Sequence, residues 1–326
     1  MALGADKTVE MLRAAGEPTR LRILCLLARE ELAVLELCRL LGQSQPRVSR
    51  HLKLLAEAGL VERFPDGAWV YYRLAGGEAR AFAEGILSVV GTSDPTLARD
   101  KERLADIERE RAQQAAQYFA VNADRWDEIR SLYISEAAVE AAILEAAGEG
   151  PFERLVDLGT GSGRMLTLFG ERARSSLGLD LSRQMLNIAR TRASEARLTA
   201  CELRHGDILA TQLQEGSADL VVVHQVLHYL ADPSAAVGEA GRLVGHGGRL
   251  VIVDFAPHDL EFLRTEHRHR RLGFEDAELE RWLAASGLGA ITIKSLPPIQ
   301  DGGLTVKIWT AERVQERLSG RLRRIA

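Results

Sequence analysis

The stretch Leu155-Val156-Asp157-Leu158-Gly159-Thr160-Gly161-Ser162-Gly163-Arg164 decides the fold of the larger part of this chain. Its apolar first half predicts a buried parallel strand, and its three alternate glycines predict a tight turn into a helix. Glycine lets the backbone turn sharply and lets a ligand lie against it without an intervening Cβ. A second predicted strand ends at Asp180, and an acid about 20 residues after such a turn is the usual partner of ribose hydroxyls. The stretch therefore favours a ligand-binding turn, although a tight turn without a ligand has the same pattern.

Apolar strands alternate with helical segments through the second half of the chain, which predicts a doubly wound parallel sheet. The predicted strands are 154–158, 175–180, 199–204, 219–224, 248–254, 289–295 and 304–310. The carboxyl end of 219–224 brings His224, Gln225 and His228 toward the crevice where such sheets bind ligands. His224, His228 and Asp254 are candidate catalytic bases, but none lies in a motif that identifies a substrate.

Four motifs of this half resemble class I S-adenosylmethionine (SAM) methyltransferases over residues 115–310. They are Asp157-x-Gly159-x-Gly161-x-Gly163, Asp180-Leu181-Ser182, Gly206-Asp207-Ile208 and His224-Gln225-Val226-Leu227-His228-Tyr229. The resemblance implies that Asp157 and the glycine turn, with Thr160, hold the methionine end of SAM. It further implies that Asp180 binds the ribose, Leu181 covers adenine and Asp207 accepts from the adenine amino group. Ile208, His224, Gln225 and Tyr118 are the other expected cofactor-binding residues.

The chemistry of SAM agrees with this resemblance. SAM carries a sulfonium, an ammonium and a diol, so its site needs carboxylates and a close backbone. It has no pyrophosphate, which would favour G-x-G-x-x-G at a helix N-terminus. The spacing found here, G-x-G-x-G, therefore favours SAM over a dinucleotide.

Residues 7–75 predict a compact unit of short helices that ends in a hairpin. A helix over 32–41 ends at Gly42, and after a short gap the next helix begins at Gln45 with Pro46 in its first turn, where a missing N–H costs nothing. Two helices so joined predict a helix-turn-helix. Predicted strands 60–64 and 68–74 follow at once, which makes the unit a winged helix.

The second helix of this motif carries basic and polar side chains typical of DNA recognition. Val48, Leu52 and Leu55 are predicted to face the core, so the other face is left for DNA. The candidate DNA-binding residues are Ser44, Gln45, Arg47, Ser49, Arg50, His51, Lys53 and, in the wing, Tyr71. A solvated basic helix is the alternative.

Residues 1–92 resemble the ArsR/SmtB repressors. The resemblance is carried by Glu17-Pro18-Thr19-Arg20-Leu21-Arg22-Ile23-Leu24, by the Ser44–Val61 stretch and by Trp69-Val70-Tyr71-Tyr72-Arg73-Leu74. It implies a homodimer that binds a pseudo-palindromic operator in double-stranded DNA. Ala33 and Leu35 stand where many members carry metal-binding cysteines. Cys38 lies one turn away without a partner, which favours a small core residue over a metal ligand. We therefore expect no metal site.

The chain is predicted to be α/β overall, with an N-terminal winged helix-turn-helix domain and a C-terminal Rossmann-like methyltransferase domain. The boundaries expected are 1–92 for the DNA-binding domain, 93–117 for a charged linker helix, 118–316 for the methyltransferase domain and 317–326 for a basic tail. The aromatic segment 118–130 either covers the SAM pocket, as in quinone-type methyltransferases, or packs between the domains. The basic stretch 258–274 fits a substrate cap, a DNA contact, a pH-sensitive contact or a solvated helix.

Composition bounds the class of protein. The 326 residues carry a net charge of −4, so any DNA contact must come from a local patch. No apolar run reaches the ~18 residues that span a bilayer, so no membrane partner is expected. Three scattered cysteines fit a reducing bacterial cytoplasm, with nucleoid association when the protein binds DNA.

Two functions agree with these patterns. In the first, the protein is a transcriptional regulator that senses SAM or S-adenosylhomocysteine (SAH) and controls methionine- or SAM-cycle genes. Coupling would then run through the charged helix 98–116 and the segment 118–130. In the second, it is an active methyltransferase of an unidentified small-molecule acceptor, and its winged helix gives autoregulation.

Overall fold

The structure is a computed structural model that describes most of the chain. The described residues are 3–29, 31–66, 69–90, 94–122, 136–198, 200–298 and 303–313. They divide into two compact units. The first contains the residues up to Ala115 together with Asp259–Arg268, and the second contains the remainder. The boundaries at 92, 117 and 316 remain predictions. Residues 259–268 also belong to the first unit, although they come late in the chain.

The first unit is a winged helix-turn-helix, which confirms the predicted fold class. Its main elements are α1 (Ala5–Ala15), α2 (Pro18–Leu27), β1 (Leu32–Ala33), α3 (Val34–Leu41), α4 (Gln45–Glu57), β2 (Val61–Asp66), β3 (Trp69–Leu74), α5 (Glu78–Ser88) and the greater part of α6 (Pro95–Asn122). Gly42 ends α3 in the left-handed conformation, at φ +66°. Val48, Leu52 and Leu55 of α4 are fully buried. The predicted inward stripe is therefore the face that fixes α4 to the core.

The wing sheet contains one strand that the sequence did not predict. Its order is β1-β3-β2, antiparallel throughout, with Leu32 opposite Tyr72 and Val61 opposite Leu74. The predicted helix over 32–41 begins only at Val34, because the buried Leu32 and Ala33 pair with β3 instead. The Ala33 N–H then donates to the Glu36 carboxylate at 3.0 Å, which starts α3.

Helix α6 is more than the solvated spacer expected from its charges. Asp100 and Leu104 are buried in the first unit. The Arg22 guanidinium grips both oxygens of Asp100, at 2.6 and 2.7 Å, and Arg103 donates to the Leu40 carbonyl at 3.0 Å. An aspartate that accepts two hydrogen bonds from one guanidinium can be buried without the cost of an isolated ion. The first turns of α6 are therefore fixed to the winged helix.

The second unit is built on a seven-stranded sheet. Its elements, with the short α11 of the first unit included in chain order, are α7 (Glu136–Ala147), β4 (Phe152–Leu158), α8 (Arg164–Phe169), β5 (Ala173–Asp180), α9 (Arg183–Glu195), β6 (Cys201–His205), β7 (Ala218–His224), α10 (Pro233–Leu243), β8 (Val244–Phe255), α11 (Phe262–Glu266), α12 (Asp276–Ala285), β9 (Gly289–Leu296) and β10 (Val306–Glu312). The strand order is β6-β5-β4-β7-β8-β10-β9.

This sheet is mostly parallel, which confirms the predicted doubly wound fold. Strands β6, β5, β4, β7 and β8 run parallel, whereas β10 lies antiparallel between β8 and β9. The apolar run Leu220–Val223 in β7 is buried, as a strand covered on both faces must be. Among the described helices, none is long and apolar enough to cross a membrane.

Candidate ligand crevice and DNA-recognition surface

The glycine turn lies at the carboxyl end of β4, between the ends of β5 and β7. Chain order reverses at this point, since β4 pairs with β5 on one side and β7 on the other. Open α/β sheets bind their ligands in the crevice at such a point. The buried Asp157 lies one residue before the end of β4 and accepts a hydrogen bond from Thr160 Oγ1 at 2.6 Å.

Two glycines of the turn cannot be replaced without displacing a neighbour. Gly159 has φ +74°, and a Cβ on it would lie 2.4 Å from Val226 Cγ2. Gly163 has φ +80°, and a Cβ there would lie 3.0 Å from that of Ala189. The N–H groups of Gly159 and Thr160 both donate to the Leu179 carbonyl, at 2.8 and 3.0 Å. The turn is thus fixed against β5 on one side and the loop after β7 on the other.

Asp180 joins the glycine turn to the end of β5. One carboxylate oxygen accepts from the Gly161 N–H at 2.8 Å, and the other accepts from the Ser182 N–H at 2.7 Å. Burial raises the pKa of Asp180 above its usual range, and these two N–H donors oppose the rise. Each oxygen keeps a further lone pair, so a ligand diol can still donate to it. The neighbouring Leu181 is 60% exposed, an apolar side chain open to a ring.

The other expected cofactor residues lie on neighbouring loops. Asp207, after β6, is exposed, and its carboxylate accepts from the Leu209 N–H at 2.9 Å, while Ile208 is buried. His224 ends β7 partly exposed, and Gln225 follows it with φ +54°. Tyr118 lies in α6, where its side chain is outside the described part, and Trp126 lies outside the described residues.

Two of the three candidate bases form a buried pair. His228 Nδ1 lies 2.7 Å from Asp254 Oδ1, and their side chains are 2% and 0% exposed. The Asp254 carboxylate also accepts from the backbone N–H groups of Phe255 and His228, at 2.9 and 3.3 Å. The His269 ring lies over His228 with ring centroids 4.1 Å apart. Sequence reasoning named His228 and Asp254 separately and placed His269 in the basic stretch 258–274. It did not predict that the three lie together, since Asp254 and His269 are 26 and 41 residues from His228.

The pair can hold the imidazole in one orientation, because an aspartate on Nδ1 leaves Nε2 as the potential base. Among the described residues, no group of three or more His, Cys, Asp or Glu side chains is placed to hold a metal ion.

The exposed face of α4 carries the candidate DNA contacts. Ser44, Gln45, Arg47, Arg50 and Lys53 are exposed, and Ser49 is half-buried. Lys53 Nζ lies 3.8 Å from a Glu57 oxygen one turn away.

Two other predicted DNA contacts already have partners in the protein. His51 is mostly buried, and its Nδ1 lies 3.5 Å from Glu17 Oε2. Burial opposes ionisation of Glu17, but the Arg20 and Thr19 N–H groups and the nearby His51 outweigh it and lower its pKa. Tyr71 is half-buried and stacks on Phe64, with ring centroids 5.9 Å apart.

The described elements define two parts of one chain, a winged-helix DNA-binding module and a domain with the class I methyltransferase fold. Family models match both parts: "Bacterial regulatory protein, arsR family" over residues 17–63 and "Methyltransferase domain" over residues 156–252. The chain belongs to the ArsR family of bacterial regulators and carries a methyltransferase domain in addition.

Relatives match the two parts separately. The arsenic resistance transcriptional regulator ArsR1 of Pseudomonas putida is 41% identical over 97 residues, which are 29% of this chain and 75% of the relative. The demethylmenaquinone methyltransferase of Thermus thermophilus is 36% identical over 107 residues, 32% of this chain and 48% of that enzyme. The chain spans about half the length, between 40 and 58%, of several curated relatives that it matches.

A solved structure agrees with the fold of the second unit. The [4+2]-cyclase SpnF superposes with a TM-score of 0.52 at 16% identity, covering 62% of this chain and 96% of the cyclase. At this level of identity the similarity concerns the fold alone.

Proposed function

We propose that this protein is a DNA-binding regulator whose methyltransferase domain binds SAM or SAH, and that this binding changes its affinity for operator DNA. The regulated genes would belong to the methionine or SAM cycle. The proposal joins two surfaces of one chain, the crevice around the glycine turn and the exposed face of α4.

The contact of Asp180 with the glycine turn is the observation that carries ligand binding. It brings a carboxylate able to accept from a diol next to a turn that a ligand can approach closely. Asp157 lies near the end of β4, Asp180 ends β5 and Asp207 follows β6. These three strands are parallel neighbours, so the carboxylates suit a ligand that carries positive charge and hydroxyls. The exposed Leu181 adds an apolar surface for adenine. The residues present therefore fit SAM and SAH.

The absence of the usual cysteine pair favours a different input signal. Many ArsR-type repressors sense metal through cysteines in their third helix, whereas here Ala33 is buried in β1 and Leu35 lies in α3. A regulator without those thiolates needs another ligand, and the fused domain offers one.

One experiment tests the proposal as a whole. SAH is titrated calorimetrically into the full-length protein, alone and saturated with a duplex from its own promoter. Coupling between two sites is reciprocal, so the duplex should change the SAH dissociation constant by the same factor by which SAH changes DNA affinity, typically about 5- to 150-fold. Equal SAH dissociation constants with and without the duplex would mean that the two halves act independently.

We also propose that the working form is a homodimer held by α1 and by residues 77–90, which include α5. Val9 and Leu12 expose 44% and 49% of their surface on α1, and Val89 follows α5 with 84% exposed. A two-fold operator needs two recognition helices about one DNA turn apart, which one chain cannot supply. Light scattering on the purified protein should give twice the chain mass of 35.8 kDa. A monomer at micromolar concentration, with and without DNA, contradicts this assembly.

The His228–Asp254 pair favours a second candidate function, an active methyltransferase. SAM supplies the methyl group, and the chain needs a base only where the acceptor must lose a proton. An imidazole oriented by a carboxylate is suited to take that proton. Release of SAH from SAM over a panel of small hydroxyl and amine acceptors distinguishes the two functions. Binding without turnover leaves the regulator, whereas turnover abolished by Asp254→Asn makes the enzyme the better description.

A further inference from the structure

Residues 256–275 form an excursion between β8 and α12 whose two ends are tied together. The His258 N–H donates to the Leu272 carbonyl at 3.0 Å, and the Phe274 N–H donates to the Phe255 carbonyl at 2.9 Å. Gly273 makes this closure possible, since at its φ of +93° a Cβ would lie 2.2 Å from the Ala256 oxygen. These backbone hydrogen bonds hold the base of the excursion, where its two ends meet, in a defined conformation.

That base is attached to the ligand crevice. The N–H groups of Arg270 and Arg271 both donate to the His228 carbonyl, at 2.8 and 3.1 Å, and the His269 ring lies on the His228 ring. His228 lies two residues after Val226, and the Val226 side chain packs against Gly159 of the glycine turn. Direct contacts thus lead from the turn, through the loop 226–228, to the base of the excursion.

The middle of the excursion, Asp259–Arg268, belongs to the first unit. Within that unit the Arg264 guanidinium carbon lies 5.8 Å from the centre of the Tyr71 ring, and the Arg264 side chain is 9% exposed. Leu263 beside it is buried. A guanidinium within about 6 Å of an aromatic ring is attracted to the ring face. Tyr71 lies in β3 of the wing, opposite Phe64 of β2.

We propose that the excursion 256–275 transmits a structural change from the ligand-occupied crevice to the wing, an inference that rests on the proposed function. A ligand against the glycine turn bears on Val226, and His228 carries the change to the base of the excursion. The contact between Arg264 and the Tyr71 ring then changes, and this alters the position of the wing on DNA. A ligand shifts DNA binding only through an element that differs between two states, and the excursion is that element.

The experiment compares coupling factors in the full-length protein. The coupling factor is the SAH dissociation constant with a saturating duplex from the protein's own promoter, divided by that without it. Arg264→Ala should bring this factor close to one while SAH binding to the free protein stays within about two-fold of the parent. Arg264→Gln, which keeps most of the side-chain length, should do the same.

Arg281→Ala is the matched control, because Arg281 is exposed on α12 and its Nε donates within its own helix, to the Ala277 carbonyl. It should keep the parent's factor. A parental factor in both Arg264 variants, each folded by circular dichroism, overturns the inference and leaves the proposed function standing. A factor of one in the parent overturns the proposed function and this inference with it.

Discussion

Replacing Asp180 with alanine should weaken SAH binding by roughly ten- to 150-fold, with SAM affected to the same degree. Both ligands share the ribose whose hydroxyls the carboxylate would accept, and hydrogen bonds to a charged group contribute about 1.5–3 kcal/mol. Part of the loss will come from the turn itself, since Gly161 and Ser182 lose the acceptor of their N–H groups. Isothermal titration of each ligand into the variant measures the effect.

Asp219→Ala is the matched control for that experiment. The Asp219 carboxylate also accepts a backbone N–H, from Arg154 at 2.9 Å, but it lies near the amino end of β7, opposite the crevice. The control removes the same charge and the same kind of backbone contact, so its SAH affinity should remain that of the parent. If the Asp180 and Asp219 variants bind SAH equally well, Asp180 does not belong to the site.

The pH dependence of the parent protein gives an independent check. Burial raises the pKa of Asp180. The ionised carboxylate would accept a hydrogen bond from each ribose hydroxyl, whereas protonation would turn one of its oxygens into a donor. SAH affinity should therefore fall as the pH falls through this raised pKa, at a higher pH than about 3.9, where an ordinary aspartate titrates. The Asp180→Ala variant should lack that step.

The sequence predicted the features that depend on neighbours along the chain. The glycine turn, the apolar β7 and the inward stripe of α4 each follow from a short pattern, and all three lie where the pattern indicates. The glycine positions also carried information on packing, since Gly159 faces Val226, 67 residues later. Local patterning was thus sufficient for both fold classes.

Contacts between distant side chains were not predictable in the same way. The Arg22–Asp100 pair spans 78 residues and makes part of a charged helix a buried one. The His228–Asp254 pair depends on β7 and β8 being neighbours, which places their carboxyl ends together. Strand β1 forms because Leu32 and Ala33 find a partner in β3, although their helical spacing is good. In each case a partner from elsewhere in the chain outweighs the local preference.

The basic stretch 258–274 shows the same limitation in a functional setting. Its charges fitted four interpretations, and composition could not choose among them. The structure separates its residues by role, since Arg271 forms a buried ion pair with Glu278 at 2.9 Å while Arg264 lies over Tyr71. The second visit of the chain to the first unit adds a connection to the one expected through α6. The chain thus passes from one unit to the other within α6 and again on either side of 259–268.

Replacing Arg47 and Arg50 of α4 with alanine should separate two kinds of DNA contact. Both side chains are exposed, and neither has an ion-pair partner among the described residues, so each is available to DNA. If Arg47 contacts a base edge, Arg47→Ala should cost about 1–3 kcal/mol of operator binding and relax sequence preference. If Arg50 contacts phosphate, Arg50→Ala should weaken binding to all sequences and reduce the slope of log K against log salt by about one.

Fluorescence anisotropy on the promoter duplex and a scrambled duplex, at several salt concentrations, measures both effects. Arg190→Ala is the control, since Arg190 is exposed on α9 of the second unit and its removal changes net charge by the same amount. It should leave operator affinity within about two-fold, because Arg190 is not part of the recognition helix. If the α4 variants behave like this control, α4 is a solvated basic helix, and the operator must be bound by another surface. A loss confined to the α4 variants, with the SAH affinity of the free protein unchanged, assigns DNA binding to α4 and excludes α4 from the SAH site.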